Sequence, residues 1–592
     1  MFPLLNNRNL PHVERQILSY LGHMDLVRAA FVCKRWYQTI ENKEGRNTVL
    51  WAVINGCEHL VEFILRDDSL NVNEYVHVAV LDWKGTALMY AATNGQERIV
   101  KLLLERKDIF VNAMNSNRET ALILATSRGY VKIVKLLLGM SWECSWECSW
   151  EWDWNGNLGD IDVNQADNRG QTALTLAISR GYVEIVQLLL EKDDLDVNVL
   201  DANGNTPLAW AATHRHERFV SLLLNRPDID VNSGNEVGCT ALISVAYLGH
   251  DKIVQLLLGR VDINVNATDF QGNTALAWAA GQGHARIVQL LLERPDIDTN
   301  KSNKWGYTPL IKAASCGYDK IVILLLEKIC IDVNKADHSG TTAISRAATM
   351  GHEEVVKVLL ERTDIDVNRA DEDCFTPLIK AACNGHDEIV KLLLGRSEII
   401  VNSAQYTGNT ALAWATNNRH DKVVNLLLRR ADVDVNIADK QGCTTLIRAA
   451  SSGHDKIVRQ LLQRNDINVN VADHFGGTAL TLAIKHEHEG VVKILLERSE
   501  LAVNSIDVKG CTPLIIATLY SNANIVKLLL QHPGIDINLK DRNGKDALFY
   551  VSRFWEMDEE RQTIVNIFES KQLLTSLRKW SLEDCNMNEA DK

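Results

Sequence analysis

The sequence predicts a mostly α-helical solenoid, in which short two-helix repeats stack side by side. The chain has 592 residues, more than one hydrophobic core ordinarily serves. A Thr-led pattern recurs at intervals of 34 residues, apart from one interval of 52. Each period contains two short apolar helices that cannot bury their apolar faces alone, so neighbours must stack. The equivalent positions are Thr86, Thr120, Thr172, Thr206, Thr240, Thr274, Thr308, Thr342, Thr376, Thr410, Thr444, Thr478, Thr512 and Asp546.

One repeat is clearest after Thr308. Threonine caps a helix, and Pro309 suits the first helical position because that position needs no donor. The Ala-rich first helix is predicted to end at Gly317, and residues 319–327 form a second helix that carries IVILLL. An extended IDVN segment and a turn at 336–340 follow. The order is therefore helix–turn–helix plus a β-hairpin.

This pattern resembles the ankyrin repeat over residues 46–556. TPLIKAA at 308–314 and at 376–382 matches the family's T-P-L-H-x-A motif, except that the motif histidine is replaced. The resemblance implies a solenoid of about fifteen repeats whose loops are tied without that histidine. An atypical first repeat begins at Thr48, with an extended hairpin expected between Asn73 and Thr86.

The fourth residue after each threonine is the candidate binding column. Helical geometry places Trp278 about 150° from the centre of the buried face, so we expect it to be substantially exposed. In ankyrin proteins the matching position lies on the concave groove, where partners commonly bind. The expected partner is a target protein with an acidic segment and aromatic or apolar anchors; the alternative is that the tryptophans only pack. The column residues chosen are Trp210, Trp278, Lys312, Arg346, Lys380, Trp414 and Arg448.

Residues 9–44 follow an N-terminal tail (1–8) and do not fit the repeat. They resemble an F-box, a small three-helix module that docks onto the adaptor subunit of a cullin–RING (SCF-type) ubiquitin ligase. The gap between the first two motif pieces is one residue shorter than usual in that family. An ordinary helical cap on the solenoid is the alternative. The resemblance implies that the ligase-adaptor contact is made by Leu10, Pro11, Ile17, Leu18, Leu21, Leu26, Val32 and Trp36.

The rest of the sequence argues against several classes of function. A net charge of −13 gives no basic field for nucleic acid, and no apolar run is long enough for a membrane span. We also expect no metal and no cofactor: histidines such as His386 recur once per repeat, which predicts a hydrogen-bonded ladder. Twelve cysteines without a CxxC pair or a secretion signal indicate a cytoplasmic and/or nuclear protein, in a host cell if the source is an intracellular microbe.

Two segments lie outside the regular repeats. The insertion SWECSWECSWEWDWNGNL (141–158) follows a second helix and is predicted to be a loop. Residues 557–592 are predicted to form a helix (558–568) and an acidic tail. The sequence thus predicts a non-enzymatic substrate-recognition adaptor of a ubiquitin ligase. The alternative is an ankyrin scaffold without ubiquitination, and an enzyme is disfavoured because no catalytic constellation is found.

Overall fold

The computed structural model describes residues 48–54, 56–67, 70–78, 83–139, 161–552 and 559–570. They divide into two compact bodies, an N-terminal body that ends at Ala275 and a C-terminal body that begins at Leu276. The predicted F-box-like module, the insertion at 141–158 and the acidic tail lie outside the described residues.

The helices follow one another in pairs along each body. The N-terminal body contains α1 (Thr48–Ile54), α2 (Glu58–Ile64), β1 (Val76–Val78), β2 (Trp83–Gly85), α3 (Ala87–Thr93), α4 (Glu97–Leu104), α5 (Ala121–Arg128), α6 (Val131–Leu137), α7 (Ala173–Arg180), α8 (Val183–Leu190), α9 (Pro207–Thr213), α10 (Glu217–Leu224), α11 (Ala241–Leu248) and α12 (Asp251–Leu258). The chain continues with α13 (Ala275–Gln282), α14 (Ala285–Leu292), α15 (Pro309–Cys316), α16 (Asp319–Leu326), α17 (Ala343–Met350), α18 (Glu353–Leu360), α19 (Pro377–Asn384), α20 (Asp387–Leu394), α21 (Ala411–Asn417), α22 (Asp421–Leu428), α23 (Thr445–Ser451), α24 (Asp455–Leu461), α25 (Ala479–Lys485), α26 (Glu489–Leu496), α27 (Pro513–Leu519), α28 (Ala523–Gln531), α29 (Ala547–Ser552) and α30 (Glu559–Ser570).

The start and stop signals predicted from the sequence are confirmed in the repeat that contains α15. The Thr308 hydroxyl accepts a hydrogen bond from the backbone N–H of Ile311 at 3.2 Å, and Pro309 occupies the first turn. Gly317 ends the helix in the left-handed conformation, with φ of 79°, which only glycine adopts at little cost.

Small residues let successive first helices approach closely. Ala313 and Ala314 are fully buried where α15 packs against α17, and α16 packs in the same way against α18. Isoleucine, valine and leucine of the second helices fill the space between the two layers, as Ile321, Val322 and Leu325 do. Each repeat therefore completes its core only with a neighbour.

The predicted hairpin is present in the first repeat but is reduced elsewhere. Between Asn73 and Thr86, β1 pairs with β2 in antiparallel register, with Val76 opposite Gly85. In later described repeats a single bridge, such as Ala404 with Thr410, replaces the two strands, or no bridge forms. The expectation of a hairpin in every repeat was therefore wrong.

Asparagine side chains join each repeat to the next in a way that sequence reasoning missed. Asn334 donates from Nδ2 to the carbonyl of Asp364 at 2.7 Å and accepts at Oδ1 from the N–H of Asp366 at 2.8 Å. Equivalent asparagines at intervals of 34 residues make the same two bonds, Asn368 among them. The recurrent Asn of the IDVN segment was the available signal.

The C-terminal helix closes the last described repeats. Residues 558–568 were predicted to be helical, and α30 spans Glu559–Ser570. It packs against α28 and α29, where Ile564, Val565 and Phe568 are buried.

Candidate protein-binding surface

Every chosen column residue lies on a first helix, and every one is half-buried. In the N-terminal body this applies to Trp210; in the C-terminal body it applies to Trp278, Lys312, Arg346, Lys380, Trp414 and Arg448. The expectation that Trp278 is substantially exposed was therefore wrong. Helical geometry correctly predicted that the side chain points away from the core. It did not account for the side chains of neighbouring turns and repeats that cover it.

Each tryptophan of the column has a neighbouring side chain against its ring. The ammonium of Lys312, in the following repeat, lies 4.1 Å from the ring centroid of Trp278, a cation–π contact. Trp414 contacts Phe375 of the preceding repeat, with centroids 5.7 Å apart. Trp210 stacks on His214 of its own helix end at 3.8 Å. The tryptophans thus combine packing with partial exposure.

Three of the four column cations form ion pairs with aspartates nine residues earlier in the chain. Arg346 contacts Asp337 at 2.6 Å, and Lys380 contacts Asp371 at 2.7 Å. Arg448 forms the same kind of pair with Asp439. Because the carboxylates balance these charges, the geometry does not support the interpretation of these cations as free selectors of acidic groups.

The aspartate in each pair also accepts hydrogen bonds from backbone N–H groups of the turn in which it lies. One oxygen of Asp337 accepts the N–H groups of Ser339 at 2.9 Å and Thr341 at 3.0 Å, and the other faces Arg346. Burial raises the pKa of Asp337, but hydrogen bonds from Ser339, Arg346 and the turn backbone outweigh it, so the pKa lies below its ordinary value. The carboxylate therefore links the turn to the column cation of the same repeat.

The repeat of Lys312 departs from this arrangement in a way that its sequence explains. Its turn carries the neutral Asn303 where the paired repeats carry aspartate. Asn303 still accepts the turn N–H groups of Trp305 at 3.0 Å and Tyr307 at 2.9 Å. Lys312 instead lies over Trp278. The signal that sequence reasoning missed was thus the residue nine positions before each column residue.

The recurring histidines form the ladder that was predicted. His386 Nε2 lies 3.1 Å from the carbonyl oxygen of Thr349, and His420 Nε2 lies 3.0 Å from that of Cys383. Each contact reaches the end of a first helix in the preceding repeat, so these histidines tie neighbouring loops together. Within the described part of the chain, no cluster of metal-binding side chains occurs.

The similarity of the chain to a known protein family agrees with the repeated architecture. A family model described as ankyrin repeats (3 copies) matches residues 16–114, 49–146, 156–235, 227–303, 295–371, 368–439 and 446–541. Among curated proteins, none matches this chain. None of the described helices combines the length and apolar character that a membrane crossing requires. Ankyrin repeats bind other proteins and are generally not catalytic. The matched segments cover most of the 592 residues, and the chain belongs to the ankyrin-repeat family.

Proposed function

We propose that this protein is a non-catalytic substrate-recognition adaptor of a cullin–RING ubiquitin ligase. Its F-box-like segment binds the adaptor subunit of the ligase, and its repeats hold a target protein. Ubiquitin transfer is then carried out by other subunits. The adaptor promotes it because holding two reactants together raises their effective concentration.

The sequence pattern of residues 10–36 carries the ligase half of this proposal. It combines Leu10-Pro11, Ile17-Leu18, Leu21 and a Val-Cys-Lys-Arg-Trp run that ends at Trp36. The spacing from Leu21 to Trp36 fits the F-box family, and the segment lacks the Thr-led signature of the regular repeats. A short segment with this many apolar residues needs a partner or the array to cover them.

The target half is supported by the aromatic column. Large rings are common anchors in protein interfaces, because they bury much area for little conformational entropy. Trp278 and Trp414 each keep part of their surface accessible in the C-terminal body, and Trp210 does so in the N-terminal body. We propose that these tryptophans are anchors for the target protein.

Direct binding of the purified ligase adaptor to the full chain tests the proposal. Replacing Trp36 with Ala, together with Leu10→Ala and Pro11→Ala, should weaken binding at least about 30-fold, because interface anchors often contribute about 2 kcal/mol or more each. Trp305→Ala is the matched control, since Trp305 lies in the array and is 50% exposed. If the unmodified protein does not bind the adaptor, the ligase assignment is wrong.

A scaffold without ubiquitin chemistry is the second candidate. One observation favours it: the first match to the ankyrin model begins at residue 16, inside the F-box-like segment. In that case residues 16–44 are a further atypical repeat that covers the start of the array. Variants at Leu10, Pro11 and Trp36 would then lower stability without affecting any ligase contact.

A further inference from the structure

The tips of five successive turns in the C-terminal body form one continuous row. The N–H of Lys440 donates to the carbonyl of Thr407 at 2.9 Å, and that of His474 donates to Gln441 at 3.0 Å. Two more bonds of 3.1 Å join the row as far as the N–H of Arg542. We call this surface the tip row; it comprises Tyr406, Lys440, His474, Phe475, Val508, Lys509 and Arg542.

Close stacking fixes the spacing of the tips. Gly442 and Gly510 have positive φ angles, and a Cβ atom at either position would lie within 3.0 Å of the backbone of the next tip. Glycine allows such an approach without a steric clash. Each tip is therefore held against its neighbour, and the row is preorganised for a ligand.

The exposed charge on the tip row is positive, although the whole chain carries −13. Lys440, Lys509 and Arg542 are exposed, and no carboxylate among the described residues forms an ion pair with them. Lys440 lies 5.0 Å from the ring centroid of Tyr406. This arrangement differs from that of Arg346, Lys380 and Arg448 in the column, which turn aspartates already neutralise.

Three carboxylates at the base of these turns, Asp439, Asp507 and Asp541, are buried, and Asp473 is half-buried. Asp439 pairs with Arg448, and the side chain of Asp439 is only 2% exposed. Asp541 accepts the hydroxyl hydrogen bond of Tyr550 at 2.5 Å and is itself buried. These carboxylates reduce the positive potential at the tips, but they form no ion pair with Lys440, Lys509 or Arg542. The acidic tip of Glu372, one repeat before Tyr406, marks the N-terminal limit of the row.

Apolar side chains alternate with the cations. Phe475 is 67% exposed, Tyr406 is 62% exposed and Val508 is 45% exposed. Rigidly spaced aromatic groups beside unpaired cations are suited to a partner that offers both apolar side chains and carboxylates.

We propose that the tip row docks an acidic, extended segment of a protein that also carries aromatic or long apolar residues. The proposal deepens the target-binding half of the proposed function, and it assigns charge selection to the turn tips instead of the helix column. Lys440 and Arg542 lie three repeats apart, or roughly 24–30 Å at 8–10 Å per stacked helix. At about 3.3 Å per extended residue, the matching segment has about eight or nine residues.

Selection from a random dodecapeptide phage library on the immobilised full chain tests this proposal. Enriched peptides should contain Asp or Glu together with Leu, Phe or Trp. Their affinity, measured by fluorescence anisotropy, should fall at least about tenfold between about 50 mM and about 300 mM salt, because screening weakens exposed charge pairs. Enrichment of no class of peptide, or of peptides without acidic residues, would overturn the proposal.

Charge reversal locates the site. The triple variant K440E/K509E/R542E should weaken an enriched peptide at least about 30-fold. The matched control R459E/K493E/K527E makes the same change in net charge at exposed positions on α24, α26 and α28. It should change affinity less than about threefold, and melting curves should show that both variants fold. Equal losses in the two variants would mean that only the overall charge matters, and the tip row would be rejected.

A single-stranded nucleic acid is the competing ligand for a basic, aromatic surface. Labelled oligo(dT) should not bind the chain, and it should not displace an enriched peptide. Binding that the tip-row triple variant abolishes would replace the proposal with a nucleic-acid site. None of these measurements involves the ligase adaptor, so the tip row and the ligase assignment can fail separately.

Discussion

Replacing Asp337 with Asn should destabilise its repeat strongly, although the substitution alters only one polar group. The side chain is 1% exposed, and it contacts Arg346 at 2.6 Å while it accepts two turn N–H groups. Asparagine can keep its one oxygen for the turn, but it then presents an amide N–H₂ group to the guanidinium. Arg346 would then keep its charge in a half-buried site without its carboxylate.

The size of the effect follows from burial. Removing one partner of a buried pair costs about 3–5 kcal/mol. Arg346 is 25% exposed and also donates a hydrogen bond to the Tyr307 hydroxyl oxygen at 3.1 Å, so water and the phenol offset part of the loss. We therefore expect about 2–3 kcal/mol. One repeat of this chain has asparagine at this turn position, Asn303. Its column residue is not an arginine that faces the turn but a lysine, Lys312, which lies over Trp278.

Hydrogen exchange on the full chain measures this change locally. Amides of α17 and α18 should exchange roughly 30- to 150-fold faster in the variant, since each 1.4 kcal/mol corresponds to tenfold. Asp364→Asn is the matched control: its pair with Arg362 has a similar length of 2.8 Å, but its side chain is 54% exposed. That substitution should cost less than about 1 kcal/mol, as exposed ion pairs do. Equal effects in the two variants would refute the argument from burial.

Two further predictions concern a helix end and pH. Gly385 has φ of 77°, and a Cβ there would lie 2.5 Å from Nδ1 of His420, whereas at Gly181, with φ of 80°, nothing lies within 4 Å. Gly385→Ala should therefore lower the melting temperature more than Gly181→Ala, and equal shifts would show that only backbone strain matters. The lowered pKa of Asp337 contributes stability that is complete above the ordinary aspartate value of about 3.9 and is lost as pH falls toward the lower folded value. Unfolding monitored by circular dichroism should show this acid loss, with a smaller pH dependence in Asp337→Asn.

The helices could be predicted from sequence because their signals are local. Thr308 and Gly317 mark a start and a stop within nine residues, and the structure has a helix between them. The hairpins were predicted less well, because an aspartate or asparagine side chain holds the turn and the described repeats after the first form at most a single bridge. The IDVN segment was expected to be extended, but Val333 and Asn334 lie in a turn, and the Asn334 side chain bonds to the neighbouring repeat.

The exposure of the candidate site residues depends on contacts with neighbouring repeats, which the geometry of a single helix cannot predict. The direction of Trp278 follows from the period of its own helix, but the ammonium over its ring belongs to Lys312, 34 residues later. The same holds for Trp414 and Phe375 of the preceding repeat. In a stacked array, the environment of a side chain is thus set by equivalent positions one period away.

The turns balance most of the positive charge in the column. A cation occurs with an aspartate nine residues earlier in the repeats of Arg346, Lys380 and Arg448, and each pair is satisfied within its own repeat. The turn position does not decide where a tryptophan occurs, because it is Gln405 in the repeat of Trp414 but Asp201 and Asp269 in the repeats of Trp210 and Trp278. The paired cations add little unbalanced charge to the surface of the column. Discrimination between partners by charge therefore has to come from residues that the turns do not neutralise, and on the C-terminal body the exposed cations of the tip row meet that condition.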